Sequence, residues 1–301
     1  MDFPAKILLF GEYGIILNSM ALAIPYPRFS GRFRCPESPD EQPSGKEVKS
    51  NTELRNLLKY LKNDPSKFKF LDLFRFEDEL NKGLYFDSSI PHGSGLGSSG
   101  ALTAAFYSRY PAGEPPTDYA KIKTELAAIE SCFHGRSSGI DPFTSYLKRP
   151  VFLDNQGTSI TTGDLSPFFK TYTLFLINTN SNGNTGDLVT QFMNDYQIPE
   201  FRRKIDQEYI PLINQTIGSV LAADFETFAS TLNRYSEFQL SCFKQMIPVP
   251  LNKYFEHGLR TGDFNLKLCG SGGGGYVLAI SRDRFKAEAY FNLNHLEYTV
   301  V

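Results

Sequence analysis

The segment Pro91-His-Gly-Ser-Gly-Leu-Gly-Ser-Ser-Gly100 carries the residue types that a bound phosphate needs. Gly93, Gly95 and Gly97 remove every second side chain, so that backbone N–H groups can close around an oxygen-rich anion at the positive end of a helix. Ser98 and Ser99 add two hydroxyls that can meet phosphates or their metal ion, and either is placed to cap the helix that follows. No lysine follows the glycines, which excludes the P-loop of the NTPases. Gly95-x-Gly97-x-x-Gly100 fits the dinucleotide fingerprint, but the chain then runs into Pro111, Pro115 and Pro116, where that fold needs a second buried strand ending in an acidic residue. The alternative to a phosphate cradle is a structural glycine turn without a ligand.

Three further groups of residues could do chemistry. Lys6 opens, and Glu12 closes, an apolar strand that leaves through Gly11; an ammonium and a carboxylate there are either solvated strand-end charges or parts of a site. Glu130 lies at the edge of the apolar stripe Ile122, Leu126, Ile129 and Phe133, where a carboxylate is costly unless something pairs with it. Asp141 follows on a turn after Gly135, either as a loop brace or as an acid–base group. Near the end of the chain, Lys267-Leu-Cys-Gly-Ser-Gly-Gly-Gly-Gly-Tyr276 runs straight into a strand, which a linker would not do. Its glycines imply close backbone approach, to a ligand or to another loop.

The elements that must position these groups follow from periodicity. Leu84–Ile90 alternates as a strand until Pro91 stops it, and Ala101, Leu102, Ala105 and Phe106 recur at helical spacing. The stretch Cys35–Ser50 is polar and reads as a surface loop, followed by an amphipathic helix over 51–62 on Leu54, Leu57, Leu58 and Leu61. Thr117 is the expected cap of the helix bearing Glu130, and Thr185 that of a helix over 186–196. Strands are expected over Tyr172–Asn178 and Tyr276–Ser281. Residues 200–260 read as mostly helical, with Ile210, Ile213, Ile217, Leu221, Phe225 and Phe228 facing inward and Pro211 marking a start or a kink.

Composition bounds the function. A chain of 301 residues with 41% apolar and 21% charged residues is long enough for two domains of ordinary globular make-up, expected as 1–165 and 166–301. A net charge of −2 supplies no basic face for nucleic acid and none for an anionic membrane. Cys35, Cys132, Cys242 and Cys269 form no CxxC or Cys/His pairing, which points to reduced thiols in the cytoplasm. The apolar run Ile7–Phe10 is interrupted at once by Gly11 and Glu12, so neither a leader nor a membrane span is expected.

Taken together, Pro4–Glu12, Pro91–Ser99, Glu130 with His134-Gly-x-x-Ser-Gly-Ile-Asp141, and Lys267–Gly275 resemble the motifs of the GHMP small-molecule kinases, from Lys6 to Gly275. The resemblance implies a mixed α/β, two-layer α+β fold of two domains with ATP and the active site between them. It implies that Pro91, Gly93, Gly95, Leu96, Gly97, Ser98 and Ser99, with Gly272 and Gly273, bind the nucleotide. Ser98, Ser99 and Glu130 would hold Mg²⁺, Asp141 would take the proton of the acceptor hydroxyl, and Lys6 would sit beside Asp141 and the phosphoryl group. Glu12, Tyr13, Thr185 and Ser271 fall at acceptor positions, with Tyr13 where the branch acting on mevalonate usually has histidine. The implied partner is a small-molecule alcohol, mevalonate first, then phosphomevalonate, homoserine or a sugar. A second copy of the chain in a homodimer is a further expected partner, and a catalytically silent nucleotide-binding protein is the reading from another class.

Overall fold

The structure is a computed structural model that describes residues 1–36, 42–155, 160–161, 164–181 and 185–301. Chain contacts divide it into two compact units, Met1–Lys6 with Pro25–Ile90 and Gly97–Arg149, and Ile7–Ile24 with Pro91–Leu96 and Pro150–Val301. Helices and antiparallel sheets alternate in both, which is the mixed α+β class expected from the sequence.

In the first unit, strand β1 (Phe3–Phe10, whose first four residues belong here) lies next to β2 (Ala21–Arg34). The second half of β2 pairs with β3 (Tyr85–Ser88), Gly31 opposite Ser88 and Arg34 opposite Tyr85. Lys6 does not open β1 as the sequence suggested; it stands inside a strand buried along all eight residues. Helix α1 (Gly45–Asn63) also begins earlier than expected, within the segment read as loop. Ser44 accepts the Glu47 N–H and the Glu47 carboxylate accepts the Ser44 N–H, a reciprocal cap that sustains two exposed polar turns before the leucine face is reached. Residues 37–41 of that segment lie outside the described residues.

Helix α2 (Leu73–Asn81) adds Phe76, whose ring lies 4.7 Å from Phe106 and 5.0 Å from Tyr110 at the end of α3 (Ser98–Arg109). Helix α4 (Tyr119–His134) is capped by Asp118, which accepts the Ala120 N–H at 3.1 Å, and not by Thr117; the carboxylate reaches the second N–H while the chain is still extended. Helix α5 (Ile140–Leu147) packs closely on α3, and a Cβ at Gly100 would meet the backbone of Asp141 at 2.9 Å.

In the second unit the first residues of β2 pair with β4 (Val151–Leu153), and β4 with β5 (Ile160–Thr161). Helix α6 (Ser166–Thr171) ends at Tyr172, and β6 (Thr173–Asn178) begins a residue later than expected. After α7 (Thr185–Asp195) and α8 (Pro199–Lys204), Pro211 falls in the first turn of α9 (Ile210–Leu221). Lacking the N–H that would continue the ladder, it follows a wider π turn over Ile205–Tyr209. The expected inward stripe is broken by a new start: Asp224 accepts the Thr227 N–H and caps α10 (Phe225–Cys242), so Leu221, the last residue of α9, is 41% exposed while Ile213, Ile217 and Phe228 are buried. Helix α11 (Asn252–Thr261) leads to β7 (Asn265–Leu268) and β8 (Tyr276–Ser281), and α12 (Arg284–Leu293) to β9 (Tyr298–Val300). These strands form an antiparallel sheet in the order β7-β8-β6-β9.

A polar network lies inside this second unit. The Lys267 ammonium donates to the Glu12 carboxylate and to the carbonyls of Leu8 (3.3 Å) and Leu268 (2.5 Å), and neither charged side chain has accessible surface. Tyr235 donates to the other Glu12 oxygen at 2.7 Å and accepts the Gly11 N–H. Gln239 donates to Tyr209 at 3.0 Å and accepts the Leu268 N–H at 2.8 Å. Burial pushes the Glu12 carboxyl up, and Lys267 and Tyr235 only partly offset it. Removing one partner of such a pair leaves an uncompensated buried charge. Lys267→Met is therefore expected to cost about 3–5 kcal/mol in urea unfolding, with part of the loss recovered by adding Glu12→Gln. A single variant within ~1 kcal/mol of the parent would show that the pair is not needed.

Candidate active site

Four elements of the first unit converge on two carboxylates. Lys6, on β1 and 3% exposed, lies 3.0 Å from Asp141, whose side chain is 28% exposed. Asp141 is not on a turn, as the sequence suggested, but in the first turn of α5, where the helix dipole favours a negative charge. Gly139, at φ 78°, makes the chain reversal that starts this helix. Gly97, at φ 76°, leaves room for the pair: a Cβ there would come within 2.9 Å of Lys6 Cγ and 3.5 Å of the Asp141 carboxylate. Lys6 is thus no solvated strand-end charge. A buried ammonium stands behind a carboxylate that keeps part of its surface open.

Glu130 is fully inside α4's buried face rather than on its edge. Ser99 donates to one of its oxygens at 3.2 Å and Ser137 to the other. Burial, and then the Asp141 charge, push its carboxyl up to about 8, against the lowering influence of Ser137, Ser99 and Lys6. A carboxylate in this position is ready for a cation. Its surroundings are hard oxygens, the donors that suit Mg²⁺, and no group of three His, Cys, Asp or Glu side chains assembles a metal cage among the described residues. A magnesium ion held by one carboxylate and serine hydroxyls would complete its shell with water and phosphate oxygens, so the residues fit a metal that arrives with a nucleotide.

Ser98 and Ser99 are the first two residues of α3, and the cap is Gly97, in the left-handed conformation with no side-chain bond. The expected serine cap is thereby corrected: both hydroxyls belong to the helix's positive first turn, and Ser99 spends its proton on Glu130.

The remaining glycine-rich residues belong to the second unit. Pro91, Gly93, Gly95 and Leu96 form a turn in which Ser94 donates to the Pro91 carbonyl at 2.6 Å and Leu96 is buried. A Cβ on Gly95 would lie 2.1 Å from the Cys269 carbonyl oxygen, and one on Gly275 would lie 2.5 Å from Ser94 Cα. The later glycine run therefore packs on another loop, one of the two alternatives its composition left open. Gly272 approaches the Met246 carbonyl equally closely, and Gly273 donates its N–H to that carbonyl at 2.6 Å.

Of the residues expected at the acceptor, Glu12 is buried in the Lys267 network. Tyr13 adopts a positive φ of 61°, lies against Phe192 (4.6 Å) and Phe243 (5.3 Å), and donates to the Ser271 carbonyl at 2.5 Å. The structure thus brings Tyr13 and Ser271 together. Thr185 starts α7, and its side chain lies outside what the structure describes.

Sequence reasoning missed Ser137, which stood at an unassigned position in the Asp141 loop, and the partnership of Lys267 with Glu12. No local pattern signals the first. A lysine flanked by Leu266 and Leu268 in a buried strand, Asn265–Leu268, signals the second, because such a residue needs a buried acceptor.

Residues 68–149, which include Ser98, Ser99, Glu130 and Asp141, match the family described as GHMP kinases N terminal domain. A mevalonate kinase of Pyrococcus horikoshii is 27% identical to the chain over 95% of it and 90% of that protein. Among solved structures, mevalonate kinase of L. major, in complex with R-mevalonate, aligns with a TM-score of 0.65 at 18% identity over 97% of this chain and 89% of the other. Galactokinase of Lactococcus lactis, complexed with galactose, aligns at 0.64 and 14% over 99% and 92%. At these identities the structural likenesses speak for the fold, whereas the family match falls on the residues that surround the two carboxylates. Residues 68–149 thus resemble the N-terminal domain of the GHMP kinases, and the chain is a small-molecule kinase similar to mevalonate kinases along nearly its whole length.

Proposed function

We propose that this kinase transfers the γ-phosphoryl group of ATP, with Mg²⁺, to the hydroxyl of mevalonate, giving 5-phosphomevalonate. The observation that supports the reading is the pairing of Lys6 with a partly exposed Asp141 beside the serine-held, buried Glu130. Phosphoryl transfer asks mainly for positioning and for neutralising charge on the equatorial oxygens. Asp141 accepts the hydroxyl proton as the oxygen attacks. Lys6 holds Asp141 in place through their ion pair and offers positive charge to the phosphoryl group. Glu130, with Ser98 and Ser99, would hold the magnesium ion, which when bound supplies positive charge against the phosphates. The turn Pro91–Ser99, with Gly272 and Gly273, holds the nucleotide. Tyr13, Thr185 and Ser271 shape the acceptor side, and Glu12, next to Tyr13 in the chain, anchors that turn through Lys267 and Tyr235. The halves 1–165 and 166–301 are the N- and C-terminal kinase domains of this reading.

The P. horikoshii relative supports mevalonate as acceptor. A second reading, the same machinery acting on phosphomevalonate, homoserine or a sugar, is favoured by Tyr13, whose large buried ring and hydroxyl stand at an acceptor position usually occupied by histidine in the mevalonate branch. A cytoplasmic setting agrees with the absence of any disulfide joining Cys35, Cys132, Cys242 and Cys269. A homodimer is part of the proposal and is checked by light scattering.

The direct test is ADP release with Mg-ATP against mevalonate, phosphomevalonate, homoserine and galactose. Turnover on mevalonate alone supports the first reading, and turnover on another acceptor alone replaces it with the second. On the accepted substrate, Asp141→Asn is expected to lower kcat about 10²–10⁴-fold with nucleotide affinity retained, as for loss of a general base. Unchanged turnover would remove Asp141 from that role. Lys6→Met is expected to lower kcat about 10²–10³-fold, the scale for a group that stabilises transition-state charge. A change in ATP affinity alone would contradict its placement beside the transferred group.

A further inference from the structure

The Ser137 hydroxyl makes two bonds of opposite sense. It accepts the Gly139 N–H at 2.9 Å and donates its proton to Glu130. The first bond is an ordinary turn of serine to the backbone two residues on, and needs only a lone pair. The second is not required by the turn. It reaches seven residues back to the one buried carboxylate that the adjoining helix presents to the site.

We propose that Ser137 is a positioning residue that holds the Glu130 carboxylate in the orientation a nucleotide-bound magnesium ion requires; the inference rests on the reading of Glu130 as a metal ligand. Each Glu130 oxygen receives one serine proton, from Ser99 on α3 and from Ser137 on the loop between α4 and α5. A carboxylate offers about four lone-pair sites, so two such bonds fix its plane and still leave each oxygen a site for a cation. The same loop sets Asp141: Gly139 caps α5, and its missing Cβ lets that cap sit on α4, where it would otherwise meet the Lys123 carbonyl at 2.8 Å. One hydroxyl therefore couples the orientation of Glu130 to the helix start that carries Asp141. Without it, a buried carboxylate beside a second negative group has one restraint fewer against turning away. Hydrogen-bond partners of metal ligands typically change metal affinity about 10–100-fold when removed.

The test measures binding without turnover. Calorimetric titration of ADP is carried out with Mg²⁺ and with EDTA, on the parent, Ser137→Ala, Ser137→Thr, Glu130→Gln and Glu130→Gln/Ser137→Ala. The expected result is that Ser137→Ala weakens Mg-ADP about tenfold or more while ADP in EDTA binds as in the parent. Ser137→Thr, which keeps the hydroxyl, should restore most of the affinity. In the Glu130→Gln background, Ser137→Ala should add little, because the two act as one unit. An unchanged magnesium contribution in Ser137→Ala, or an undiminished loss in the Glu130→Gln background, overturns the positioning role. A magnesium contribution untouched by Glu130→Gln itself overturns the metal-ligand reading, and the inference with it.

Discussion

A charge taken out of water has to be matched within the protein, and in each unit of this chain a lysine without appreciable exposure meets that demand on one carboxylate. Lys6 pairs with Asp141 and Lys267 with Glu12. The two pairs differ in what the carboxylate can still do. Glu12 is closed on every side, with Lys267 on one oxygen and Tyr235 on the other, so its charge is spent on holding strand, turn and helix together. Asp141 keeps part of its surface open. The same pairing gives architecture where both partners are sealed, and leaves the carboxylate reachable where one side stays open.

Glu130 belongs to neither arrangement. Two serine hydroxyls approach its oxygens, Asp141 adds a second negative charge nearby, and the Lys6 ammonium only partly offsets burial and that charge. Hydroxyls orient a carboxylate without neutralising it, which leaves the attraction for a cation available. On the proposed reading that division suits a kinase: the fixed ammonium would serve the group that takes the proton, and a metal arriving with each nucleotide would serve Glu130.

Much of this was legible in the sequence because the relevant signals are local. Alternation located β3, β6 and β8 to within a few residues, helical spacing located α3 and α4, and Lys6, Ser99, Glu130 and Asp141 were singled out by type and motif before their proximity was visible. Residue type could not show which pairs meet. Lys6 and Asp141 are 135 positions apart, Glu12 and Lys267 are 255, and the choice between strand-end charge and buried pair depends on packing alone. The errors have the same origin. Caps went to Asp118 and Gly97 instead of Thr117 and a serine because neighbouring residues of similar propensity are separated only by backbone geometry. Helix α1 began inside a polar segment because a reciprocal Ser44/Glu47 cap outweighs the absence of an apolar face.

The glycines of the phosphate-loop segment carry a last step. Their alternation suggested one purpose, an uncluttered backbone for an anion. The structure gives them separate neighbours: Gly95 against the Cys269 carbonyl, Gly97 against the Lys6 side chain, Gly100 against the start of α5. Two of the three lie against Lys6 and Asp141. A side chain at 97 would push on Lys6 and one at 100 on the backbone of Asp141, so each would alter the separation of ammonium and carboxylate even if every phosphate contact survived. The glycine pattern is therefore a constraint from Lys6 and Asp141, which approach to 3.0 Å behind the helix start, before any anion in front of it is considered.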